Sequence, residues 1–251
     1  MPRGISRYDE AAFQGRLWTP QGADFAIAAW FDASDIQTLT HSGSGISDWK
    51  DKSINAVNAT QATTTSQPIF VPNVVNGLAG LDWSGDLMST NLSASSAAES
   101  IFMVVRFTSG FGQLLTADAA GGRLFRVDNP NYLAFLRQNQ AALATSNPDT
   151  IPTGQLILVG LTYNSTETRF YLNGKQIGST VTVNPALTAG RTSTIGGGNW
   201  PGGIHEIIVV QSVVVEPIRE KIEGYLAWKW ALNGNLTGNH RFATRPPTIG
   251  D

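Results

Sequence analysis

Gln155-Leu-Ile-Leu-Val-Gly-Leu-Thr-Tyr163, Thr168-Arg-Phe-Tyr-Leu172, Asn173-Gly174 and Lys175-Gln-Ile-Gly-Ser-Thr180 follow one another almost without interruption. The first is an apolar run of strand length. Asn164-Ser-Thr-Glu167 behind it carries turn chemistry. The second run ends on Asn173-Gly174, the strongest short-range hairpin signal, and the third returns from it. Ser193-Thr-Ile-Gly-Gly-Gly198 and Gly202-Gly-Ile-His-Glu-Ile-Ile-Val-Val-Gln211 supply two more strands. This half of the chain predicts the back of an antiparallel β-sandwich.

The chain upstream agrees. Ala26–Ala33, Ser100–Phe107, Gly112–Thr116, Arg123–Val127 and Tyr132–Leu136 read as strands. Turn clusters at 117–122 and 128–131 separate the last three. The composition fits: 41% apolar, only 14% charged, and 26 glycines in 251 residues. Many turns and few charges point to an all-β protein of short strands. Near the C-terminus the period changes. Pro217 precedes Ile218, Ile222, Tyr225, Leu226 and Lys229, which share one face of an amphipathic helix, with Trp230 at its edge and Gly234 as its stop.

Phe170-Tyr-Leu-Asn-Gly-Lys-Gln-Ile-Gly178, Ile195-Gly-Gly-Gly198 and Gly203-Ile-His-Glu-Ile-Ile-Val209 resemble the last strands of a concanavalin A-like, laminin-G-type jelly roll. Trp30-Phe-Asp-Ala-Ser-Asp35 and Ile46-Ser-Asp-Trp-Lys-Asp-Lys-Ser53 resemble the opening of a jelly-roll subfamily of phage structural and bacterial surface proteins. Asn76–Met88 and Arg219–Trp230, with His240 and Pro246-Pro247, match the same subfamily. This chain has Ile54-Asn-Ala-Val57 where the subfamily usually has Gly-Asn-Gly. The resemblance implies a two-sheet antiparallel jelly-roll sandwich over residues 25–211, an N-terminal docking arm over 1–24, and a C-terminal helix and tail over 212–251 packed on the sandwich.

Net charge is −2 and there is no basic run, so nucleic acid and anionic membranes are poor partners. No apolar run approaches the length of a membrane span. The absence of cysteine excludes disulfides and thiolate chemistry, and points to a bacterial or viral source. Met1–Glu10 carries no apolar core and does not read as a signal peptide. The expectation is a protein made in a host cytoplasm and carried on a virion surface. Tyr8, Phe13, Leu17 and Trp18 are the apolar anchors of the arm, set to dock on the sandwich or on a neighbouring virion protein.

Cleavage of a glycosidic bond needs two carboxyl groups about 5 Å apart in the retaining case, which a strand supplies at alternate residues. The relevant strand carries one acid, Glu206, beside His205, and neighbours on a regular strand point to opposite faces. A hydrolase is therefore the least favoured reading, and no residue is assigned as catalytic. His41, His205 and His240 lie outside nucleophile motifs. No His or Cys spacing marks a metal. Calcium is left open on loop-edge Asp82, Asp86, Asp118 and Asp128. Gly196-Gly-Gly-Asn-Trp-Pro-Gly-Gly203 reads as a rim loop in which Trp200 either covers the sandwich edge or is exposed beside Asn199 as a sugar platform, with Asp128 and Asn131 as further glycan contacts. The leading reading is a non-enzymatic phage or phage-like structural and adhesive protein with host-glycan binding, assembled as an oligomer. The alternative is a bacterial lectin-like module.

Overall fold

The structure, a computed structural model, describes residues 16–95, 97–117, 122–137, 142–182, 192–197 and 200–251, with only the backbone of 137, 142 and 143. In chain order the strands are β1 (Ile27–Asp32), β2 (Leu39–Ser42), β3 (Gly45–Trp49), β4 (Ala59–Thr60), β5 (Ile69–Val75), β6 (Leu78–Ser84), β7 (Leu87–Thr90), β8 (Glu99–Phe107) and β9 (Gly112–Ala117). Then come β10 (Arg123–Asp128), β11 (Tyr132–Arg137), β12 (Ala142–Thr145), β13 (Leu156–Tyr163), β14 (Thr168–Leu172), β15 (Lys175–Val181), β16 (Ser193–Gly196), β17 (Pro201–Val210) and one helix, α1 (Glu216–Lys229).

All the pairings are antiparallel, and they define two layers. The back sheet runs β1-β17-β8-β13-β14-β15. The front sheet runs β2-β3-β4-β7-β16-β9-β10-β11-β12. The hairpin β5–β6 bridges them at one edge, because β6 pairs with the first residues of β17 while β5 touches β3. This is the jelly-roll sandwich that the sequence predicts.

Strand β8 shows why its sequence is almost continuously apolar. Ile101, Met103, Val105 and Phe107 face the inter-sheet core with Phe31, Phe125 and Phe170. Phe102 and Val104, of opposite parity, face α1 and meet Ile222, Leu226 and Trp230. A strand covered on both faces has no polar alternation. Each fully buried large side chain of this kind contributes about 1.5–3 kcal/mol.

The local turn chemistry is specific. Asn173 and Gly174 adopt φ of 48° and 79°, the two left-handed residues of a type I′ hairpin, and Asn76 and Gly77 repeat this at 51° and 79° between β5 and β6. Asp51 gathers the 49–57 turn: its carboxylate accepts from Trp30 N (2.7 Å), Ser53 N (2.9 Å), Ser53 Oγ (2.6 Å) and Val57 N (3.0 Å). Ala56, within this turn, takes φ of 51°. The helix does not run to Gly234. It ends at Lys229, and Ala231 takes the left-handed position at φ 57°, with Leu232 N donating to Ala227 O (2.7 Å). That 6→1 bond is a Schellman closure that usually recruits glycine.

The described end of the arm is used inside the chain. Trp18 N bonds Pro247 O (3.0 Å), Ile249 N bonds Arg16 O (2.9 Å), and Leu17 bridges Thr248. The Trp18 indole is buried edge-on against Tyr225 at 5.9 Å and stacked on Phe25 at 6.3 Å. Trp18 is therefore packed on its own helix and is not exposed for a neighbour. Tyr8 and Phe13 lie outside the described residues.

Candidate functional site

The acid on β17 decides how the site is placed. Between Ile204 and Glu206 the register to β8 slips by one residue, a β-bulge. Ile204 and Ile207 both point into the core, so the bulge sends His205 and Glu206 to the same, helix-facing side. This corrects the alternating placement expected for a regular strand. His205 stacks on Trp230 at 5.5 Å and accepts from Leu81 N through Nδ1 at 3.3 Å. It is wedged between Gly80 and Gly203, where a Cβ would come within 2.3 and 2.2 Å of the ring. Burial, then Arg106, lowers its pKa to about 3, so the ring is neutral at physiological pH.

Glu206 is fully buried. Oε1 accepts from Trp30 Nε1 (2.8 Å) and the Tyr225 hydroxyl (2.9 Å). Oε2 accepts from Trp230 Nε1 (2.6 Å) and Lys229 Nζ (2.7 Å). Four donors fill the roughly four lone-pair sites of a carboxylate. Asp32, its partner across β1–β17, shares Lys229 at 2.7 Å and takes Lys52 at 3.0 Å. Burial pushes Asp32 up, but Lys229 and Lys52 outweigh it and hold it at about 2. Burial and the Asp32 charge push Glu206 up. Two acids do converge here, but on an ammonium that pins α1 to the back sheet.

The expected rim platform is not formed. Trp200 is 0% exposed and lies in the inter-sheet core, 5.4 Å from Phe107. Its amide closes a turn onto Gly197 O (3.0 Å), and this swings the indole inward over Gly112, where a Cβ would sit 2.7 Å from Trp200 Cα. Asn199 lies outside the described residues. Asp128 pairs with Arg126 (Nε–Oδ1 2.7 Å), whose guanidinium lies over the half-exposed Phe111 at 5.0 Å. Asn131 is a turn residue at φ 73°, its N–H bonded to Asp128 O (2.7 Å). Asp82 is held by Arg106 (2.6 Å), and Asp86 caps Ser84 N (2.7 Å). Asp118 lies outside the described residues. Among the described residues no three His, Cys, Asp or Glu gather as a metal-holding group.

A different constellation emerges from the front-sheet register. Thr60 pairs with Ser89, Ser89 with Thr194, and Thr194 with Thr116. Their neighbours Ala59, Met88 and Ile195 face the core, so the row points to the outer face, where Thr60 and Ser89 are exposed, Thr194 is half-buried and Thr116 is buried. Strands spaced about 4.8 Å apart set its pitch. None of these hydroxyls has a hydrogen-bond partner among the described residues. At one end of the row Asn58, Asn91 and Thr192 join Thr60 and Ser89 around an open groove of about 290 Å³ with no charged group in its lining. An uncharged wall of hydroxyls and amides suits a polyol, which donates and accepts at every position.

Residues 85–214, just over half the chain, match the laminin-G-type family of the concanavalin A-like lectin/glucanases superfamily. The chain belongs to this family. A comparison with curated proteins finds no match in sequence. Among solved structures, domain 4 of AbnA, an extracellular arabinanase from Geobacillus stearothermophilus, in complex with arabinotriose, superposes with a TM-score of 0.55 at 14% identity, over 76% of this chain and 95% of that one. Botulinum neurotoxin type C, described as entering cells through two ganglioside molecules, gives 0.53 at 12% identity, over 80% and 51%. Trypanosoma rangeli sialidase in complex with sialic acid gives 0.52 at 16% identity, over 81% of this chain and only 34% of the enzyme. The chain thus spans about a third of the sialidase. At these identities the likeness is one of fold.

Proposed function

We propose that the protein is a lectin-like, non-enzymatic module that holds a neutral glycan on the outer face of its front sheet. The observation that carries this reading is the row Thr60–Ser89–Thr194, three open hydroxyls in register with no partner among the described residues, beside an uncharged groove. The arabinanase domain in complex with arabinotriose, and the neurotoxin whose cell entry depends on two ganglioside molecules, support the ligand class. The sealed state of Glu206 supports binding over cleavage, because no lone pair is left to receive a proton from a substrate. The reading needs no metal, so a chelator leaves binding unchanged. A glycan array tests it: wild type should retain a defined set of sugars, and the T60V/S89A/T194V variant should lose them. Equal retention by both, or sugar release during incubation, would refute it.

The same proposal seats the module on the surface of a phage or phage-like particle. Its support is the resemblance of Trp30–Asp35, Ile46–Ser53 and Arg219–Trp230 to phage structural proteins. Copurification with capsid or tail proteins is expected. A chain recovered free of particles contradicts this placement and leaves the glycan reading standing.

A further inference from the structure

Helix α1 covers the outer face of the back sheet only in part. Where β13, β14 and β15 pass beneath the start of the helix, the cover ends and a cavity of about 430 Å³ opens. The outward residues of β13 record the change: Leu158 lies under the helix, Gly160 gives room to the Tyr171 ring, and Thr162 stands at the cavity. Such a volume falls within the usual range for a small-molecule site.

The two arginines at this cavity are ion-paired, while Lys175 and Glu220 line it with no ion pair among the described residues. Arg169 is paired with Glu167 at 2.8 Å. Arg219 is paired with Glu223 at 2.5 Å and Glu216 at 3.2 Å, and its guanidinium lies over Tyr171 at 4.5 Å. The arginine blankets the ring face, so recognition here does not proceed by stacking on an aromatic platform. Thr162 is the most buried of the neutral polar groups in the lining. It is 4% exposed, its hydroxyl has no hydrogen-bond partner among the described residues, and it lines the cavity. The hydroxyl opens into the cavity, where a ligand hydroxyl can both donate to it and accept from it. Gln176 and Asn239 line the same cavity; the Gln176 Nε2 donates to Thr180 Oγ1 at 3.1 Å and its carbonyl oxygen is left to accept.

We propose that this cavity is a second saccharide subsite, taking a neutral sugar unit held by hydrogen bonds to Thr162, Gln176 and Asn239. It rests on the glycan-binding reading above but uses the opposite sheet. The sheets are packed about 10 Å apart and both sites face outward, so the two sites engage separate glycan chains. One molecule then bridges two chains, which raises avidity on a dense glycan surface.

Titrating ¹⁵N-labelled full-length protein with neutral mono- and disaccharides and arabinotriose, followed by amide shifts, tests this. Two sets of perturbations are expected, one around Thr60, Ser89 and Thr194 and one around Thr162, Tyr171 and Gln176. Thr162→Val, close in shape to threonine, should weaken the second set about tenfold, the worth of one good hydrogen bond, and leave the first unchanged. T60V/S89A/T194V should do the reverse. Perturbation confined to the front set, indifferent to Thr162→Val, overturns the second subsite alone. Perturbation of neither set by any sugar overturns both readings.

Discussion

Replacing Lys229 by methionine tests the reading of the β17 acid as a structural anchor. Met keeps most of the apolar stem and removes the ammonium that sits 2.7 Å from both Asp32 and Glu206. The Lys229 side chain is only 11% exposed and those of the two acids 4% and 0%, so solvent does not replace the lost charge. Removing one partner of a buried ion pair typically costs about 3–5 kcal/mol, because a buried charge is left uncompensated. Against a total stability of about 5–15 kcal/mol this is a large loss. Urea unfolding at neutral pH, with the slope m unchanged, should show it as a fall in midpoint. The added Glu206→Gln change should restore about 1 kcal/mol or more in the Lys229→Met background, since it deletes one of the stranded charges. A loss below about 1 kcal/mol in the single variant would refute the anchor and reopen Glu206 as an available acid.

Four further outcomes follow from the same geometry. Asp32 is depressed from 3.8 to about 2, so its ion pairs add about 2 kcal/mol above pH 4; this is lost as pH falls through 2, and acid unfolding of wild type against Asp32→Asn should show the difference closing in that window. Ala231→Gly should raise stability by about 1 kcal/mol in thermal or urea unfolding, by relieving an alanine at φ 57°. Gly203→Ala should destabilise by about 2 kcal/mol or more through its clash with His205, and by clearly less in a His205→Ala background, as a double-mutant cycle would record. Trp200→Ala should cost about 3–5 kcal/mol in unfolding, as for any buried tryptophan, and should not act selectively on sugar binding.

The sequence carries the sandwich strongly because each long strand declares its own environment. β13 and β8 are nearly continuous in apolar residues since both faces are covered over most of their length, and Asn173-Gly174 specifies its turn by backbone sterics alone. The helix face was equally legible in Ile222, Tyr225, Leu226 and Lys229. What the sequence conceals is set by tertiary contact. The glycines flanking Trp200 read as exposure, yet the indole lies in the core against Gly112 and Phe107. The β17 bulge is invisible without β8 beside it, and it reverses the facing of His205 against Glu206. The hydroxyl row is hidden for another reason. Thr60, Ser89, Thr194 and Thr116 are ordinary residues on four separate strands, and only the register brings them together. The one local signal is a hydroxyl at the outward position of each strand.

Calorimetric titration of a sugar retained on the array, into wild type and into T60V/S89A/T194V, tests the front-sheet site most directly. The account predicts that the variant, folded and as stable as wild type within about 1 kcal/mol, loses at least tenfold in affinity at that site. An affinity unchanged by removing three of the four hydroxyls in the row would contradict it.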